Sequence, residues 1–278
     1  MTTNERPPTI WIDVPGGRLA ADDEGSGPPI LLIHSAIVNR RSWDPVAPFL
    51  VKAGYRVIRY DMRGFGESTT EDVEYAPNED AVAVLDHFGV GKAAIGGNSM
   101  GGNFALETVL ESPDRFVAFA WVCGGVSGYE KGVTPEEDAL FHAESDAEEA
   151  GNWDLAAELD TQIWVDGVGQ PTTRVDPEVR AAIKAMDREL LEPGRVYGSW
   201  RRPEPAAGRL GDVAIPTLVV IGELDTMGTR AAADKLAAEV PGARLAKVPK
   251  VAHIVGMEAP ETLAALIVEL LAPLPRWS

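Results

Sequence analysis

Ser99 stands at the centre of Gly97-Asn98-Ser99-Met100-Gly101, a G-x-S-x-G pattern set directly after an apolar run and directly before a helical pattern. A sharp strand-to-helix turn pushes the central hydroxyl into the open, and the helix that follows aims free N–H groups and its positive dipole end at it. The chemistry this offers is nucleophilic attack on an acyl carbon, which needs a base for the serine proton and an acid to orient that base. His253, in the loop PKVAHIVGMEAP after the run ARLAKV, is the candidate base, and Asp225, after TLVVIGEL, is the candidate acid, with Glu223 the nearest competing carboxylate. Singly, each has an ordinary structural use as a helix cap, a turn former or a loop histidine. Three placements at strand ends agree on one site, and that agreement points to chemistry.

One amide cannot hold the charge that develops on the attacked carbonyl, so two donors are expected: the backbone N–H groups of Met100 and Ala36. His34, at the end of the third strand, lies beside the second donor. The remaining histidines are weaker candidates for the base: His87 belongs to the helical run LDHFG, and His142 stands beside Phe141 where it could touch substrate. No histidine spacing matches a metal motif, and no metal or cofactor is expected. Gly64-Phe65-Gly66 lacks the third glycine of a dinucleotide fingerprint, and Gly91-Lys92 is followed by Ala93 where a P-loop needs Ser or Thr.

The elements that must position these residues alternate in the manner of βαβ units. Thr9 to Val14 and Arg18 to Glu24 read as a hairpin, and Ile30 to Ile33, Arg56 to Tyr60, Ala93 to Gly96 and Phe116 to Cys123 read as buried strands. Helical patterns fill the gaps at Trp43 to Ala53, Asn78 to Phe88 and Met100 to Leu110. After Val126 the rhythm turns helical, with one stripe at Leu155, Leu159 and Ile163 and another at Val179, Ile183, Met186 and Leu190. Strands return at Thr217 to Leu224 and Arg244 to Val248, with helices at about Thr229 to Val240 and at Glu261 to Leu271. The expectation is a mainly parallel sheet of about eight strands, formed by residues 1–127 and 213–278, with residues 128–212 inserted as a helical cap.

Composition is that of a globular chain able to bury a sizeable core: 45% of the 278 residues are apolar and 24% charged. The net charge of −18 repels phosphate backbones and anionic lipid, so neither nucleic acid nor membrane is an expected partner. A single cysteine, Cys123, and a start without a basic-then-apolar leader point to the cytoplasm. Oligomeric state stays open, with a homo-oligomer among the options.

Together with Asp61-Met62-Arg63-Gly64-Phe65-Gly66-Glu67-Ser68, a D-x-R-G-x-G-x-S sequence, the three candidate residues resemble the α/β-hydrolase superfamily along nearly the whole chain, including its Ser, acid, His order. The cap length and HIVGMEAPE are similar to oxoadipate enol-lactonases and small carboxylesterases. The resemblance implies hydrolysis of a small carboxylic ester or lactone through a Ser99 acyl-enzyme. The alternative on the same fold is a lyase, a perhydrolase or a ligand-binding protein. The sequence departs from the family in having His34-Ser35 where His-Gly is usual, Ala252 before the histidine where Gly is usual, and Asn98 in the elbow. Phe141, Trp153 and Trp164, with Tyr197 and Trp200, supply aromatic material for a substrate pocket. Cap charge is uneven: residues 130–166 hold twelve acids and one base, Lys131, whereas residues 174–212 hold seven acids and eight bases. Both stretches read first as solvated helix faces; the functional alternative is that the second presents arginine, Arg201 and Arg202 included, to a substrate carboxylate.

Overall fold

A computed structural model describes residues 7–129 and 132–278. The first six residues, on which the expectation about a leader rests, and the cap charges Glu130 and Lys131 fall outside the described residues. The main sheet uses β1 (Ile10–Val14), β2 (Gly17–Gly25), β3 (Pro29–Ile33), β4 (Arg56–Tyr60), β5 (Ala93–Asn98), β6 (Phe116–Val122), β7 (Thr217–Gly222) and β8 (Arg244–Val248). They lie in the order β1-β2-β4-β3-β5-β6-β7-β8, with the short strand Thr69–Thr70 added to β2. β1, β2 and β4 pair antiparallel in succession, Thr69–Thr70 also pairs antiparallel with β2, and all the other neighbours pair in parallel. Every residue of β3, β5 and β7 is buried, as expected of central strands covered by helices on both faces.

Those covers are α1 (Ala47–Lys52), α2 (Pro77–His87), α3 (Met100–Glu111), α7 (Met227–Glu239) and α9 (Pro260–Leu271), with the one-turn α8 (Val255–Glu258) between β8 and α9. Four of the helical runs expected from the sequence form within two or three residues of the expected ends. The first does not: Trp43 to Ala53 divides into a 3-10 turn at Arg40–Trp43 and the short α1. Pro45 and Pro48 remove the N–H groups that a continuous helix would use.

Between β6 and β7 lie α4 (Pro135–Glu149), α5 (Trp153–Asp160), a π-helical turn at Thr161–Gly167 and α6 (Pro177–Leu190). Among the described residues this stretch adds no strand to the main sheet. Its one strand, Ser199–Trp200, pairs with Glu74–Tyr75. α4 starts with a complete capping box, Thr134 and Glu137 each bonding the other's backbone N–H. A second apolar cluster joins Val165, Val175 and Ile183 of this region to Ile37 and Val38, after β3, and to Ile254. The helical region is thus packed onto the two loops that carry Ala36 and His253. Among the described residues no helix is long and apolar enough to cross a membrane.

Candidate active site

β5 runs into α3 through Ser99, which adopts φ 57 and ψ −119, a left-handed conformation that few side chains tolerate. The turn is held by Ser99 N–H donating to the Val122 carbonyl at 2.9 Å and by the Ser99 carbonyl accepting from Asn103 N–H at 3.1 Å. Glycine is required on both sides. A Cβ at Gly97 would come within 2.2 Å of the Gly101 oxygen, and one at Gly101 within 2.4 Å of the His34 oxygen. Ser99 makes no side-chain capping bond to α3, so its half-buried hydroxyl is not used as a helix cap. Met100 is the first residue of α3, where N–H groups have no partner within the helix.

Asp225 and His253, 28 residues apart, are both buried and bonded. His253 Nδ1 lies 2.9 and 2.8 Å from the two Asp225 carboxylate oxygens. A carboxylate only accepts, so Nδ1 carries the proton and Nε2 keeps a lone pair. Asp225 Oδ1 also accepts from Thr226 N–H at 2.7 Å. The rival Glu223 lies exposed on the surface. Cys123 follows β6 with φ 47 and is fully buried, and burial and the Asp225 charge push its thiol well above the usual value. Cys123, Asp225 and His253 are the only three metal-ligand-type groups among the described residues whose ligand atoms all lie within 4.8 Å of one another. Two of them are already committed to the Asp225–His253 bond.

Two supports were not visible in the sequence. Asn98, the variable elbow position, is buried and its Nδ2 donates to the Val122 and His253 carbonyls, both at 3.1 Å, so it ties the elbow to the histidine loop. Arg174 donates to the Asp166 carbonyl at 2.7 Å, to the Val165 carbonyl, and across to Glu258, also at 2.7 Å. Glu258 in turn accepts from Ala252 N–H at 3.0 Å, so Arg174 links the π-helical turn to the residue before His253.

On the oxyanion side, Ala36 is exposed while residues 30–35 and 37–40 are buried. Ser35 is not among the residues of positive φ, so this turn does not need the glycine usual in relatives. His34 is corrected as a substrate contact. It is fully buried, its Nδ1 donates to the Ser35 carbonyl at 2.8 Å, and its Nε2 accepts from Met62 N–H at 3.0 Å. Burial lowers its pKa, which keeps the ring neutral as these two bonds require. The D-x-R-G-x-G-x-S sequence is likewise a brace: Asp61 accepts from Arg40 N–H at 2.7 Å and from the Arg40 guanidinium, and Arg63 pairs with Asp80 through two 2.7 Å bonds. The loop after β3 is thereby fastened to the end of β4.

From the helical region, Trp164 reaches the site. Its ring centroid is 4.6 Å from that of His253, its carbonyl accepts from His253 N–H at 3.2 Å, and Phe141 packs on its other side at 5.6 Å. Four further candidates are not brought there. His142 is exposed and its Nδ1 bonds the Asp138 carbonyl one turn back on α4. Trp153 opens α5 half-buried beside Gly151, and among the described residues it has no ring contact with the Trp164 group. Arg201 pairs with Glu79 at 2.9 Å and Glu74 at 3.7 Å, and Arg202 forks onto the buried Glu107 over the Phe104 ring. The carboxylate-binding role expected of these arginines is therefore corrected: protein carboxylates already occupy both.

A profile of the α/β hydrolase fold matches residues 28–260. The chain is 26% identical to the rhodomycin D methylesterase DauP of a Streptomyces species, over 86% of this chain and 89% of that protein. It is 27% identical to 3-oxoadipate enol-lactonase 1 of Acinetobacter baylyi, over 82% and 80%. A thermophilic esterase from Thermogutta terrifontis superposes with a TM-score of 0.76 at 26% identity, covering 96% of this chain and 98% of that one. The matched profile spans most of the chain, including the elbow, Asp225 and His253, and the protein belongs to the α/β hydrolase fold family.

Proposed function

We propose that the protein hydrolyses a small carboxylic ester or lactone through an acyl-enzyme on Ser99. The carrying observation is the buried His253–Asp225 bond: with Nδ1–H engaged, the neutral ring has its lone pair on Nε2, in a loop that Asn98 ties to the elbow. Ser99 Oγ attacks the acyl carbon while its proton passes to Nε2. The oxyanion is held by the N–H groups of Met100 and Ala36, and collapse of the intermediate expels the alkoxide, which takes the proton from His253. Water then repeats the sequence on the acyl-enzyme, releasing the acid and restoring Ser99. Asp225 fixes the tautomer and stabilises the imidazolium. Relatives named as an esterase, a methylesterase and an enol-lactonase support this reaction class.

The test uses 4-nitrophenyl esters of graded chain length with Ser99→Ala, His253→Ala and the double variant. Because both groups serve one proton transfer, each single change lowers kcat roughly 10⁴-fold or more, and the double variant is hardly worse than either. A Ser99→Ala protein that retains turnover, or losses that multiply, would overturn the reading. A fluorophosphonate that labels Ser99 in a protein without ester turnover would favour the non-hydrolytic alternative.

A further inference from the structure

Four carboxyls from three helices converge in the helical region over the site: Glu144 and Glu148 of α4, Asp160 of α5 and Asp187 of α6. Elsewhere in the same region acids are paired, Glu158 with Arg180 and Lys184, and Asp166 with Arg180. Among the described residues no arginine or lysine pairs with any of these four. Asp187 is only 3% exposed and its Oδ2 has no hydrogen-bond partner. A buried acceptor without a protein partner is costly, and a bound donor would offset that cost.

The cluster is continuous with the site. Phe141, Glu144 and Glu148 follow i, i+3, i+7 on α4, one face of the helix, and Phe141 packs on Trp164. Asp160 accepts from Trp164 Nε1 at 2.9 Å, and that ring rests against His253. Asp187 is one turn beyond Ile183, which packs with Ile37, Val38 and Ile254 beside Ala36 and His253. Tyr197 closes the other flank: its ring meets Phe65 at 5.2 Å, and burial first, then the Asp187 and Glu148 charges, raise its hydroxyl pKa. Arg195, whose charge acts against that rise, is itself held by the Gly64 carbonyl at 2.7 Å. Carboxylates flanked by aromatic rings suit an alkylammonium group, through charge-assisted bonds and ring faces.

We propose that Glu144, Glu148, Asp160 and Asp187, flanked by Trp164 and Tyr197, bind a protonated amine or quaternary ammonium group carried by the substrate. The substrate class is then a cationic ester, a conclusion that rests on the hydrolase reading of Ser99, whereas the cation site stands without it. Burial and mutual repulsion push the Glu144, Asp160 and Asp187 carboxyls up, Glu144 to about 7, so protons compete with a cation for them.

Two isosteric pairs test this: 4-nitrophenyl 6-aminohexanoate against the heptanoate, and butyrylcholine against 3,3-dimethylbutyl butyrate. In at least one pair the cationic member is preferred in kcat/KM by about tenfold or more, as one charge-assisted bond allows, and Asp187→Asn or Glu144→Gln collapses the ratio. No preference in either pair, or a preference that survives both substitutions, overturns the proposal. If neither pair is cleaved, the hydrolase reading fails by itself. Calorimetry of choline and hexylammonium binding to the Ser99→Ala protein then decides the cation site. Binding lost on adding Asp187→Asn supports it, and absence of binding or indifference to that substitution overturns it.

Discussion

Asn98 shows what a single side chain contributes here. Its amide donates to two carbonyls, one on β6 and one 155 residues away on the histidine loop, so it sets the distance between the nucleophile turn and His253. Asn98→Ala leaves both carbonyls without that donor in a buried place, which costs about 1–3 kcal/mol. The histidine loop then loses its register with the elbow, and steady-state kinetics on a 4-nitrophenyl ester should show kcat down about tenfold with KM little changed. A rise in KM with kcat intact would mean that Asn98 serves binding and not alignment. Ser99, Asp225 and His253 were legible in the sequence because each follows a recognisable strand within a few residues. Asn98 was not, since nothing local marks a partner so far along the chain. His34 was misjudged for a related reason: its acceptor role to Met62 N–H exists only once β3 and β4 lie side by side.

At the level of elements, the apolar period found the strands and most helices but failed at α5. The stripe Leu155, Leu159, Ile163 assumes 3.6 residues per turn throughout. The π-helical turn at Thr161–Gly167 shifts the phase, so Leu155 is 44% exposed while Ala156 and Ala157 are buried. No spacing rule announces such a turn, yet it is what places Trp164 against His253. The stripe on α6 did form, and Asp187 sits within it between Ile183 and Leu190. Because the folded helices hold the Asp187, Asp160 and Glu144 protons more tightly than the unfolded chain, stability falls as pH climbs from the ordinary carboxyl value of about 4. The decline ends only above the raised values, about 7 for Glu144. Asp187→Asn removes the largest of these penalties, so its Tm should exceed that of the wild type by a margin that widens between pH 4.5 and 8, reaching at least about 2 °C. A stabilising change that costs cation preference is the signature of a residue kept for binding. A margin that stays flat or reverses with pH would assign Asp187 a structural hydrogen bond instead.

For the whole molecule, charge and burial act in opposite senses. The acids exceed the bases by 18, yet the strongest ion pairs are internal, such as Arg40 with Asp22 and Asp61, where salt hardly reaches. Many other pairs are half-exposed, for instance Arg244 with Glu269 and Lys235 with Glu239, and pairs of that kind are worth about 0–1 kcal/mol each. Salt weakens these exposed attractions and, at the same time, the repulsion among the unpaired acids, which acts over the whole surface at low ionic strength. At 10 mM salt the screening length is about 30 Å, longer than the spacing of most surface charges, and at 1 M it is about 3 Å. With so large an excess of one sign, relief of repulsion outweighs the loss of weak pairs. Tm should therefore rise steadily from 10 mM to 0.5 M sodium chloride, with most of the gain below about 0.15 M, where the screening length has already dropped to about 8 Å. Sodium chloride is the right probe because sulfate would also strengthen apolar burial and confuse the two causes. A Tm that falls over the same range would show that the surface pairs, and not the net charge, govern the electrostatics of the fold.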